Sequence, residues 1–82
     1  MATTKDDLRQ WFNEGLRLGA THMIVVCDTF DYDDYPVYVM PGEDAAEKAV
    51  EYAQRSMQKV MEVYKIALGE KQVDGTDRVF NF

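Results

Sequence analysis

The chain has 82 residues, 46% of them hydrophobic, and its 9 Lys and Arg against 15 Asp and Glu give a net charge of -6. That length holds one domain over residues 1–82 and excludes a large multi-site enzyme, since single cores usually run to ~100 residues or somewhat more. The acidic balance argues against direct nucleic-acid binding, which depends on Lys and Arg to meet phosphates, and no apolar run approaches the ~18 to 20 residues of a membrane span.

Residues 4–18 are predicted to form a helix. Thr4 can cap the first turn and Asp7, three residues later, can answer it. Leu8, Trp11, Phe12 and Leu16 fall on one face, with Gly15 on the same side, where a missing side chain allows close approach; Gly19 can end the helix in the left-handed conformation. Residues 21–29 read as a strand that is apolar on both faces, as a strand covered on two sides must be. Residues 35–40 form a second strand, and the polar stretch 31–34 is short enough to make the pair an antiparallel hairpin. Pro36 lacks an amide donor and belongs near the strand start or on an unpaired edge.

The longest predicted element is a helix over residues 43–68, introduced by Pro41 and Gly42 and followed by Gly69. Ala46, Val50, Ala53, Met57, Val60, Tyr64 and Ala67 are spaced alternately four and three apart, a heptad seam widened by Ala49, Met61 and Leu68. This stripe can pack on the domain's own sheet or on a second copy, which makes a homodimer one expectation. Residues 71–77 read as loop, and residues 79–82 as a short third strand or a docked tail. The result is an α+β fold of order α-β-β-α(-β), with a layer of two helices packed against a small antiparallel sheet.

Cys27 and His22 are each unique and would be the natural nucleophile and base. They lie five apart on one strand, which sends them to opposite faces, so neither is assigned as catalytic and Cys27 is read as a small core residue. One cysteine makes no intrachain disulfide, and residues 1–7 lack the basic and apolar regions of a signal peptide, so a cytoplasmic protein is expected. Asp28, Asp31, Asp33 and Asp34 could attract a hard cation, but the spacing lacks the glycine of a calcium loop, and no metal site or cofactor is assigned.

Charge placement says more than any motif. Residues 18–47 contain no Lys or Arg and seven acids: Asp28, Asp31, Asp33, Asp34, Glu43, Asp44 and Glu47. Phe30, Tyr32, Tyr35 and Tyr38 are interleaved with them. Aromatic residues give contact area at little entropic cost and acids steer encounter, so this block suits a basic protein surface. The candidate binding residues are Asp28, Phe30, Asp31, Tyr32, Asp33, Asp34, Tyr35, Glu43, Asp44 and Glu47. The function expected is a small acidic interaction protein that engages another macromolecule, in its sharper form a basic nucleic-acid-binding protein. The alternative is a metal-dependent or His-based enzyme site assembled across a homodimer.

Residues 19–23, Gly-Ala-Thr-His-Met, with residues 27–31 and 34–37 and the segment 57–64, resemble small uncharacterised proteins encoded in bacterial and phage genomes. The resemblance brings no activity, cofactor or catalytic residue. A phage setting would favour a host-directed inhibitor that imitates nucleic acid.

Overall fold

The computed structural model describes residues 3–75 and 78–82. Helix α1, Lys5–Leu18, begins at a complete capping box: the Asp7 amide donates to Thr4 Oγ1 and the Thr4 amide donates to Asp7 Oδ2, each at 3.1 Å. It ends where Gly19 takes φ 78°, with Gly19 and Ala20 donating back to Leu16 and Gly15. Phe12 and Gly15 are buried and Leu8 and Trp11 pack beside them, but Leu16 does not join that face: it is 60% exposed.

Strand β1, His22–Asp28, lies at the centre of a three-stranded antiparallel sheet of order β2-β1-β3. Its five middle residues are all buried, as expected of a strand covered on both faces. Strand β2, Asp33–Val39, pairs with it from His22 opposite Val39 to Asp28 opposite Asp33, which makes the expected hairpin. Pro36 therefore sits on an edge strand, where its missing donor costs no central ladder bond.

The expected helix over residues 43–68 is only half helix. Helix α2 is Ala45–Ala53, a turn follows, and strand β3, Gln58–Lys65, pairs antiparallel with the other side of β1. A bulge between Val25 and Val26 leaves Met61 without a register partner. Because β3 is covered on both faces, Val60 and Val63 pack toward α2 while Met61 and Tyr64 pack toward α1. Such a doubly covered strand has apolar residues at three- and four-residue spacings, and these imitate a heptad seam.

The two helices do not form one layer. Met23, Val25, Phe12, Tyr64, Ile66 and Val73 make a core on the α1 side, and Ile24, Val26, Val37, Val39, Val63, Ala45 and Ala49 make a second core on the α2 side. Alternation along β1 sends its odd residues to the first and its even residues to the second. The α+β class holds, with the sheet sandwiched between its helices. The stretch read as loop after Gly69 contains a 3₁₀ turn, Glu70–Asp74, which buries Val73; residues 76 and 77 of that stretch lie outside the described residues. Residues 79–82 contribute a single parallel bridge, Phe80 to Val63, rather than a full strand. The Val63 amide donates to Val79 O and the Asn81 amide donates to Val63 O. The Gln72 amide group continues this edge, accepting from the Lys65 amide at 3.0 Å and donating to Lys65 O at 2.7 Å.

Candidate functional site

The candidate site is the end of the sheet where β1 turns into β2. Asp28 holds the turn twice: its Oδ1 accepts from the Phe30 amide at 2.9 Å and its carbonyl accepts from the Tyr32 amide at 2.7 Å. Asp31 Oδ1 accepts from the Asp33 amide at 3.1 Å. These are the local bonds by which Asp side chains favour turns over regular structure. The turn is thus fixed by its own acids, while Phe30 and Tyr32 point away from the core at 76% and 69% exposure.

Asp34 and Cys27 face one another across the strand pair. Burial, and then the carboxylates of Asp34, Asp28 and Asp31, push the Cys27 thiol up, so it stays protonated and is a poor nucleophile. Tyr35 is half-buried against α2 and its hydroxyl donates to Gln58 Oε1, which locks the first residues of β3 to β2's side of the site. Burial raises the Tyr35 phenol above its ordinary value. Among the described residues, no Lys or Arg comes within ion-pair distance of Asp28, Asp31 or Asp34.

The remaining expected residues are elsewhere. Glu43, Asp44 and Glu47 begin α2, which follows the far end of β2, so the length of a seven-residue strand, roughly 20 Å, separates them from the hairpin turn. They also have local work. The Glu43 carboxylate accepts from the Met40 amide at 2.8 Å and pairs with Lys48 at 3.0 Å, which holds it below the usual carboxylate range. Asp44 caps α2 by accepting from the Glu47 amide. Two acidic ends replace the single acidic surface suggested by the order of residues along the chain.

One neighbour of the site was not legible in the sequence. The turn at residues 54–57 sits beside the hairpin turn, because the Thr29 amide donates to Met57 O at 2.8 Å. Met57 is 54% exposed, although the heptad spacing had placed it in a buried seam. No local signal marks it. Its position follows only from β3 pairing with β1, where Gln58 lies opposite Asp28.

His22 is at the opposite end of β1 from these acids. The Thr21 hydroxyl lies 3.1 Å from Val39 O and 2.9 Å from His22 Nδ1, which ties the ring to the start of the strand pair. Its Nε2 is buried and has no hydrogen-bond partner among the described residues. Burial, followed by the nearby Lys65 ammonium, lowers the His22 pKa. His22 therefore cannot reach either Cys27 or the hairpin acids within one chain. Among the described residues, no group of three His, Cys, Asp or Glu is arranged to hold a metal ion, and no helix is long and apolar enough to cross a membrane. No family model, curated protein or solved structure matches this chain.

Proposed function

We propose that this protein is an acidic binding module that engages the basic surface of another protein, such as one that itself binds nucleic acid, through the hairpin end: Asp28, Phe30, Asp31, Tyr32, Asp33 and Asp34, with Tyr35 as support. The observation that carries this reading is the exposure of Phe30 and Tyr32 on a turn whose acids form its hydrogen bonds and whose Asp28, Asp31 and Asp34 have no Lys or Arg partner among the described residues. A pre-formed turn loses little entropy on docking, and unpaired carboxylates attract a cationic partner over about a Debye length. Glu43, Asp44 and Glu47 are left out of this surface because they occupy the other end of the sheet.

The test is binding of an arginine-rich peptide, followed by fluorescence anisotropy between ~0.05 and 0.2 M salt, where screening lengths shorten to molecular contact distances. Affinity should fall steeply with salt in the parent protein. Changing Asp28, Asp31, Asp33 and Asp34 together to Asn should abolish binding and keep the fold, since Asn can form the same turn bonds. Binding that ignores salt, or that survives the fourfold change, would exclude the reading.

A further inference from the structure

We infer that two turns, residues 29–32 and 54–57, jointly seat an apolar anchor residue of a protein segment whose flanking Arg or Lys residues meet the hairpin aspartates. This rests on the binding function proposed above and specifies what the partner segment must contain.

The two turns come from different connections and are joined by the Thr29 amide to Met57 carbonyl bond. They carry three large apolar side chains left in the open, Phe30, Tyr32 and Met57. Among the described residues, Tyr32 at φ 60° and Met57 at φ 61° are the two non-glycine residues with positive φ. Glycine meets that backbone requirement at no steric cost, and a residue with a β-carbon does not. Neither side chain recovers the cost by core packing, because both are largely exposed. Tyrosine and methionine nevertheless stand at these two positions. Both types suit contact surfaces, tyrosine through a rigid ring with a polar tip and methionine through an adaptable thioether.

Charge decides which occupant fits. An all-apolar segment would take the water from Asp28, Asp31 and Asp34 and leave them unpaired, which is costly, and an acidic segment would be repelled. The bases near this end do not reverse that balance. Arg55 is bound to Glu51 at 3.0 Å and lies over the Tyr52 ring at 4.1 Å, and Lys59 is a single charge across from Cys27. A cationic segment with an aliphatic or aromatic residue at its centre satisfies both the acids and the apolar side chains.

The experiment uses two synthetic peptides of equal positive charge, one of Arg and Gly only and one with Leu in place of the central Gly. The Leu peptide should bind about tenfold more tightly, as burying much of one Leu side chain permits. Met57→Gly should remove that preference and leave the affinity for the Arg-Gly peptide unchanged, and Tyr32→Gly should remove the preference as well. A thermal midpoint equal to or above the parent's would show that these variants still fold. Equal binding of both peptides by the parent, or a preference that survives in either glycine variant, overturns the inference while the binding function stands. If neither peptide binds at low salt, the binding function falls and takes the inference with it.

Discussion

At Gly15 two effects of opposite sign meet. Alanine in a helix interior normally stabilises by about 0.5 to 1 kcal/mol relative to glycine. Here an added Cβ would stand 2.9 Å from Cε1 and 3.0 Å from Cδ1 of Tyr38. That ring cannot swing away freely, because its hydroxyl donates to the Trp11 carbonyl at 2.7 Å. Overpacking of this kind costs about 1 to 3 kcal/mol, so Gly15→Ala should be net destabilising by about 1 to 2 kcal/mol in chemical denaturation. His22 sets a pH dependence of known sign. Its folded-state pKa lies below the ordinary value, so the unfolded chain takes up the proton first as pH falls. The stability contributed by the neutral, partly buried ring is present above pH ~6.5 and is lost progressively below it. Denaturation at pH 7.5 and 5.5 should show this loss, and His22→Gln should flatten it. Glu14 and Glu43, whose carboxyl groups are held low, titrate below that window, whereas burial raises the Glu62 carboxyl and its contribution runs opposite to that of His22, so the difference between the parent and His22→Gln isolates the imidazole.

Among elements, β1 bears most of the fold, because both cores are anchored on its alternate residues. Ile24→Ala should therefore cost about 2 to 5 kcal/mol, whereas Leu16→Ala, on the exposed back of α1, should change stability by no more than about 0.5 kcal/mol. Those two residues looked alike as parts of apolar patterns, and only packing tells them apart. The bounds of helix α1 were legible because their signals are local: Thr4 with Asp7 at the start, Gly19 at the end. The hairpin was legible for the same reason. Strand β3 was not, because Val60, Met61, Val63 and Tyr64 serve two faces and a bulge shifts their phase, which erases the two-residue period. The aspartates and aromatics of the hairpin turn could be read from residue type. The separation of Glu43, Asp44 and Glu47 from them, and the arrival of Met57 beside them, depend on where α2 ends.

At the scale of the molecule, the three-layer arrangement gives the sheet two ends of different character. One end carries the hairpin turn with Phe30, Tyr32 and Met57 among aspartates. The other carries the start of α2, where Glu43 and Asp44 are engaged in capping and in the pair with Lys48. Net charge alone would let a cationic partner settle at either end, but Asp28, Asp31 and Asp34, which have no Lys or Arg partner among the described residues, favour the first together with the exposed aromatics. Amide chemical-shift mapping of the isotope-labelled protein with the arginine-rich peptide at low salt distinguishes the two directly. The shifts should concentrate on residues 28–35 and at Met57, and leave residues 43–47 unmoved. Shifts centred on the first turn of α2, or spread evenly over the acidic residues, would contradict the account.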